Sequence, residues 1–401
     1  MKTALIFFKR SEEVFDSAYF GNVINAFVSG NINIHSVEIL SDTDDLGFKR
    51  RLGDFRNTFD NLIVIASNTT FSVKQIIADE TDTELFDNEN ARKFVEAISK
   101  SSGIEMDEEN CKLPLDATLI PNVNGPFQGF MMEDNEFSLV VLPSAIKEIK
   151  VMCDGYVVPY FEKKYGEHNE RLTLKYFGDV STLKKTLGEA SEFCPCKLTY
   201  YVDTKYGDST VKLIFSNLEN KEQMGETVRF IVSALKENLY AEFDTSLEER
   251  LFDLLKLRSV KIAVAESFTG GRVASAIVSN SGVSEFFTEG AVTYSNLSKK
   301  KRLGVKEEDL KKVGAVSAQV AYQMAAGLLL QGDCDIAIST TGIAGPKSDD
   351  TLKPVGLCYI AVGMKDGVHT YRYNFTGTRE EITETAKNTA LFLAIKKLKN
   401  I

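Results

Sequence analysis

Histidine and cysteine are scarce in this 401-residue sequence, and their scarcity narrows the chemistry first. The three histidines, His35, His168 and His369, stand far apart, so no histidine-rich metal site is expected. The six cysteines, Cys111, Cys153, Cys194, Cys196, Cys334 and Cys358, are scattered and fit reduced thiols better than a disulfide framework. Their one close pair, Cys194-Pro195-Cys196, lacks the two-residue spacing of metal ligands and has no second pair to join it. Positive charge is also short. The net charge of −10 argues against a general nucleic-acid binder, because phosphate binding needs Lys and Arg in excess. No apolar run reaches the roughly 18–20 residues of a membrane span, and the N-terminus lacks a signal-peptide pattern. A cytoplasmic protein with no membrane partner is expected.

What is present describes an ordinary globular protein of two or three domains, 43% hydrophobic and 26% charged. Residues 1–165 alternate strand and helix: strands at Ala4–Phe8, Ile32–Leu40, 61–66 and Ser138–Leu142, with helices at Val14–Phe27, Leu46–Phe59 and Ala145–Phe161. That order predicts parallel strands with crossover helices, and a ligand at the strands' carboxyl ends. The loop there, Ser67-Asn68-Thr69-Thr70-Phe71-Ser72-Val73-Lys74-Gln75, has no glycine to admit a phosphate and no carboxylate to hold a metal ion. Residues 166–244 follow a β-α-β-β-α order with a hairpin at Lys205-Tyr206-Gly207-Asp208. This resembles KH-like α+β modules, which often contact RNA, but the Gly-x-x-Gly clamp of such modules is missing. A spacer or dimerisation module is the preferred reading.

Residues 245–401 carry the chemistry. Ser246-Leu247-Glu248-Glu249 is a capping box opening the first helix, and Thr378-Arg379-Glu380-Glu381 opens the last. Between them, three hydroxyl- or glycine-rich segments follow strand ends. One contains Ser267, followed by Phe268-Thr269-Gly270-Gly271, the second runs from Gly290 through Thr293, Tyr294, Ser295 and Asn296 to Lys299, and the third is Ser339-Thr340-Thr341-Gly342-Ile343-Ala344-Gly345-Pro346. In an open α/β sheet such loops gather at one edge and build a pocket. Ser267 is a candidate nucleophile. With no suitable histidine, the candidate base is Lys299, its pKa lowered by burial or a cationic neighbour, with Tyr294 relaying the proton or holding the amine. N–H groups at Gly270-Gly271 or Thr341-Gly342 are candidates to receive an oxyanion. Each residue also has a plain structural reading. Ser267 serves as a helix cap, Lys299 as the first cation of a solvated face with Lys300, Lys301 and Arg302, Thr340–Gly342 as a turn, and Arg379 as a surface charge.

At these residues the sequence resembles the CinA C-terminal family, the nicotinamide mononucleotide deamidases. The shared motifs are Ala-Glu-Ser-x-Thr-Gly-Gly at 265–271, with Phe268 where many members carry cysteine, Val-Thr-Tyr-Ser-Asn-x-x-Lys at 292–299, and Thr-Gly-Ile-Ala-Gly-Pro at 341–346. The resemblance implies a three-layer α/β amidase domain. It would hydrolyse the carboxamide of nicotinamide mononucleotide to nicotinic acid mononucleotide and ammonia without a cofactor. It places the catalytic serine at Ser267, the lysine at Lys299 and the tyrosine at Tyr294, a substrate-contacting threonine at Thr341 and a phosphate-binding arginine at Arg379. Thr269, Gly270, Gly271, Ser295, Asn296 and Gly342 are expected to line the same pocket, and a homodimer is expected. Lys347-Ser348-Asp349-Asp350 departs from the glycines many members carry, which predicts an altered loop at the pocket mouth.

The full length is also similar to two-domain members, whose first domain is molybdopterin-binding-like and cleaves ADP-ribose in some cases. Here the glycines of that domain's loop are absent, and its two acids fall on Lys74 and Gln75. Leu142-Pro143-Ser144-Ala145-Ile146 replaces the family's Leu-Pro-Gly-Pro-Pro. A retained fold with lost chemistry, and no divalent metal, is the expectation. The rival to an amidase is a non-catalytic, competence-related regulatory or nucleotide-binding protein.

Overall fold

The computed structural model describes residues 1–9, 17–41, 44–66, 71–103, 105–134, 136–166, 169–216, 221–347 and 353–399. The start of the expected helix at Val14, the loop residues Ser67–Thr70, His168 and the departure at Ser348–Asp350 lie outside these residues. The chain divides into two compact units, Met1–Asn169 and Glu170–Ile401.

In the first unit, β1 (Thr3–Lys9), β2 (Ile34–Ser41), β3 (Asn61–Ala66), β6 (Thr118–Ile120), β7 (Gly129–Asp134) and β8 (Phe137–Pro143) form one sheet in the order β2-β1-β3-β8-β7-β6. Strands β4 (Leu85–Asp87) and β5 (Lys112–Pro114) pair separately. The expected parallel strands are present: β1 pairs in parallel with β2 and β3, and β3 with β8. Strands β7 and β6, at the far side of the sheet from β2, are antiparallel additions. Both faces are covered, which is why β1 reads as an unbroken apolar run. Ala4, Ile6 and Phe8 enter one core with Phe48 and Phe55, while Leu5 and Phe7 enter another with Phe27 and Ile149. The single helix expected over 145–161 is not continuous. Helices Ile146–Met152 and Val158–Tyr165 are joined by a π-helical turn, Cys153–Val157. Pro159 has no N–H to give the preceding turn, and the wider turn absorbs that missing bond.

The second unit holds two sheets. Strands β9 (Glu170–Phe177), β10 (Lys197–Lys205), β11 (Asp208–Ser216) and β12 (Leu239–Ala241) form an antiparallel sheet in the order β10-β11-β9-β12. The hairpin falls at the expected place, with Tyr206 and Gly207 at φ of 51° and 80° as a tight two-residue turn demands. The sequence reading missed β12, whose three residues are too few to show alternation.

The other sheet contains β13 (Ile262–Glu266), β14 (Phe287–Val292), β15 (Ile336–Gly342), β16 (Leu357–Met364) and β17 (Gly367–Asn374), in the order β14-β13-β15-β16-β17. Strand β13 lies parallel to both β14 and β15, so strand order reverses about it. The crevice at the carboxyl ends of such strands is where open α/β sheets take ligands. Helix Ala318–Gln331 covers one face, through Val320, Ala321, Met324 and Leu328 against Ala263 and Ala265. Helices Leu247–Arg258, Arg272–Val278 and Arg379–Lys399 cover the other, around Ile262 and Val264. The three-layer expectation is met. The boundary expected at 244/245 falls between the two sheets, yet they share a core: Phe177 of β9 stacks on Phe392 of the last helix, with ring centroids 4.8 Å apart.

Candidate active site

The site is built from the ends of β13, β14 and β15. Chain leaving β13 at Glu266 makes one irregular turn through Ser267, Phe268 and Thr269. It enters helix Arg272–Val278 through Gly270 and Gly271, at φ of 62° and 97°. That left-handed backbone is cheap only for glycine. Glu266 holds the turn. Its carboxylate is buried and accepts from Gly271 N (3.0 Å), Val273 N (3.1 Å) and Ala274 N (2.8 Å), and from Thr269 Oγ1 (2.7 Å). A buried carboxylate survives there because the helix N-terminus supplies unpaired N–H donors and the positive end of its dipole.

This arrangement corrects two expectations. Gly271 N is consumed by Glu266, and Gly270 N donates to Ser267 O at 3.1 Å, so neither is free for an oxyanion. Thr269 is fully buried, its hydroxyl shared between Glu266 and Thr340 Oγ1 at 2.6 Å, and it cannot line a pocket. By contrast, the N–H groups of Phe268 and Thr269 have no acceptor among the described residues. Gly342 stands better placed than the other expected donors. Ile343 N bonds Leu357 O on the β16 side, and successive N–H groups alternate along a strand. The Gly342 N–H therefore points to the β13 side, past the point where β13 has ended.

From β14, Ser295 caps helix Asn296–Leu303 by accepting from Ser298 N at 3.1 Å. That fixes Lys299 one turn in, and its side chain runs back into the protein with 1% of its surface exposed. Its Nζ lies 2.9 Å from Ser267 Oγ, 2.7 Å from Thr293 O and 3.1 Å from Tyr294 O. No carboxylate pairs with it among the described residues. Burial alone holds its pKa down at about 8. Lys299 is therefore no member of a solvated basic face, whereas Lys300, next to it, is exposed and bonded to Glu307.

Tyr294 meets the lysine through its carbonyl oxygen, not through its phenol, and its side chain is 63% exposed. The expected hydroxyl contact with the amine is absent because the ring points outward at the strand's end. Ser295 is spent on the cap, and Asn296 is exposed at the first turn. Thr341 is buried and its hydroxyl donates to Ala315 O at 2.8 Å, which anchors the segment before helix Ala318–Gln331 and leaves no proton for a substrate. Arg379 is exposed and donates through Nη1 to Gly345 O at 2.7 Å, beside the loop that follows β15. Glu266 and Thr340 were given no role at the site from sequence. The available signal was an acid ending an apolar strand directly before a glycine-bearing helix start.

In the first unit, Lys74 is buried. Its Nζ donates to Glu109 O (3.1 Å) and Asn110 O (3.4 Å) and sits 5.2 Å from the centre of the Phe127 ring. Burial lowers its pKa to about 8. Gln75 is exposed and bonds Asp79. Lys74 offers a metal no oxygen, and Gln75 offers only a neutral amide oxygen in place of a lost acid.

The fold and this site define a class: a three-layer α/β protein with a buried serine–lysine pair at its strand-order switch point. Comparison with known proteins then identifies the line of descent. A profile described as the CinA C-terminal domain matches residues 244–398. A competence-damage inducible protein of Caldicellulosiruptor saccharolyticus is 33% identical over 94% of this chain and 97% of its own length. One from Clostridium perfringens is 32% identical over 89% of each. Among solved structures, a CinA superfamily protein of Klebsiella pneumoniae is 32% identical, covering 39% of this chain and 97% of that one, with a TM-score of 0.38. The chain belongs to the CinA family of competence/damage-inducible proteins.

Proposed function

We propose that this protein hydrolyses the carboxamide of nicotinamide mononucleotide, giving nicotinic acid mononucleotide and ammonia, with Ser267 as nucleophile and Lys299 as base. The observation that carries the reading is the coordination of the Lys299 amine. A neutral amine has two N–H groups and one lone pair. The carbonyls of Thr293 and Tyr294 take up the two N–H groups, which leaves the lone pair for the Ser267 hydroxyl 2.9 Å away. As an ammonium Lys299 donates to all three oxygens; on losing a proton it keeps two hydrogens for the carbonyls and turns its lone pair to the Ser267 hydroxyl.

In the forward step Lys299 takes the Ser267 proton as Oγ attacks the amide carbon. The tetrahedral oxyanion is received by the Phe268 and Gly342 N–H groups, each well-placed donor contributing about 3–4 kcal/mol in known cases. The lysine ammonium then passes its proton to the departing nitrogen, which leaves as ammonia. Water, activated by the same lysine, cleaves the acyl ester and returns the serine. Arg379 suits the substrate phosphate, since four of its five N–H donors remain after its bond to Gly345.

Substrate choice rests on the family resemblance, and the competence-damage names of the relatives favour the second reading, a regulatory binder. A binder gains nothing from a lysine buried beside a serine without a carboxylate. Ammonia release from nicotinamide mononucleotide, with nicotinamide and nicotinamide riboside in parallel, separates the two. Turnover of the mononucleotide well above the phosphate-free compounds supports the amidase. Binding without ammonia supports the regulator.

A further inference from the structure

The second unit carries another cleft, none of whose lining residues belongs to the Ser267 site. It lies among helix Lys221–Leu235, strand β12, the start of helix Leu247–Arg258 and the end of helix Arg379–Lys399, with a volume of ≈ 900 Å³. Four cations line it: Arg229, Lys236, Arg250 and Lys399. Glu242 is the one acidic side chain in the lining. Arg250 donates through Nε to Tyr240 O at 3.2 Å, and Lys399 through Nζ to Leu239 O at 2.9 Å. These carbonyls of β12 hold both cations in place without neutralising either. None of the four pairs with a carboxylate among the described residues. In the same last helix, Lys387, Lys396 and Lys397 are each matched, to Glu248, Glu237 and Asp366.

A chain with 57 acids and 47 basic residues has no shortage of partners, so four neighbouring unmatched cations stand out. Partial burial of the amine, and after it the charge of Arg250, hold Lys399 below its ordinary value while Glu242 acts the other way, and a bound anion would act with Glu242. An aromatic surface adjoins the cations. Phe243 is 49% exposed, and the Arg250 guanidinium lies 5.6 Å from its ring centre. Val228, Val232 and Leu239 supply apolar wall.

We propose that this cleft binds a nucleoside polyphosphate. Arg250 and Lys399 grip the phosphates, Arg229 and Lys236 add charge at the rim, and the base lies against Phe243. Phosphate recognition by fixed guanidinium and ammonium groups, with a base on an aromatic face, is the chemistry these residues offer together.

The test is calorimetric titration of the full-length protein with ATP, adenosine and inorganic tripolyphosphate. One saturable ATP site is expected, with adenosine much weaker. Arg250→Gln with Lys399→Gln should weaken ATP by about tenfold or more. Because Arg250 also supports β12, the exposed pair Arg229→Gln with Lys236→Gln gives a second reading, with a smaller loss and an unchanged melting temperature. Phe243→Ala should weaken ATP but not tripolyphosphate, and Arg379→Gln, at the other site, should leave ATP binding as it was. The proposal is overturned if the wild type shows no saturable ATP binding. It also fails if Arg379→Gln abolishes binding while the cleft variants keep it, or if a short oligothymidylate binds the cleft more tightly than ATP. No outcome here depends on whether Ser267 is a nucleophile.

Discussion

The Nζ of Lys299 lies 2.9 Å from the Oγ of Ser267, and its two other hydrogen-bond partners are both main-chain carbonyls. The pair brings together residues 32 positions apart in sequence through two parallel strands that end level: Glu266 pairs with Val292, and Thr293 N reaches back to Glu266 O at 2.8 Å. The frame is rigid main chain, so changes to the lysine itself give clean readouts.

Lys299→Arg keeps charge and approximate length but cannot give up a proton near neutral pH. It should be as inactive as Lys299→Met, each losing about a thousandfold in kcat or more, a scale in line with loss of a serine's base elsewhere. Lys300→Arg and Lys301→Arg, on the exposed side, should retain turnover. Comparable activity in Lys299→Arg would move the base elsewhere.

The pH dependence follows from the same group. The proposed base is the neutral amine of Lys299, and burial brings its pKa down to about 8. The kcat/KM of the free enzyme should therefore rise with pH, reach half of its plateau near that value, and fall about tenfold per pH unit below it. Stability moves in the same direction. The folded protein sheds this proton more readily than the unfolded chain, whose lysine has the ordinary value of 10.5. The burial penalty is therefore fully present below pH 8 and fades as pH climbs from the folded value toward the unfolded one. Relative to Lys299→Met, the wild type should gain up to about 2 kcal/mol between pH 7 and 9.5, measurable by urea denaturation.

Glu266 positions Ser267 without touching it. Glu266→Ala strands three N–H groups, that of Val273 buried and those of Gly271 and Ala274 half-buried, and leaves the Thr269 hydroxyl with Thr340 alone; it should cost about 3–5 kcal/mol in stability. Glu266→Gln preserves shape and one acceptor, so it should fold with a smaller loss. Its kcat should drop while KM changes little, since the turn carrying the nucleophile loosens and the phosphate contact does not. An unchanged kcat in a folded Glu266→Gln would reduce Glu266 to a helix cap.

Much of this was legible beforehand, for definite reasons. The strand run 262–266, the glycines at positive φ and the spacing from Tyr294 to Lys299 are local patterns, and each fixed a direction in which the chain had to turn. What escaped was the division of donors within the turn. Sequence shows that Gly270 and Gly271 have N–H groups, but only the packed structure shows that Ser267 O and Glu266 already hold them. The same holds for Thr269, in the turn after β13, and Thr341, within β15, whose hydroxyls bond Thr340 and Ala315 O. Strand β12 was missed for want of length, and the π-turn at Cys153–Val157 because periodicity cannot resolve one extra residue.

For the first unit, Lys74 puts a buried ammonium where the related motif has an acid, its bonds going to the carbonyls of Glu109 and Asn110. Adding magnesium or manganese to the full chain should give no release of AMP from ADP-ribose above background, followed by chromatography. Metal-dependent AMP production would show that other groups of this unit bind the ion.

The central claim is that Ser267 becomes acylated while Lys299 moves its proton. Rapid-quench mass spectrometry of the protein mixed with nicotinamide mononucleotide tests it most directly, with ammonia measured in the same samples. The peptide containing Ser267 should gain the mass of the nicotinoyl mononucleotide acyl group as ammonia appears. Neither signal should be seen for Ser267→Ala. Continued ammonia release by Ser267→Ala at a rate near that of the wild type would contradict it.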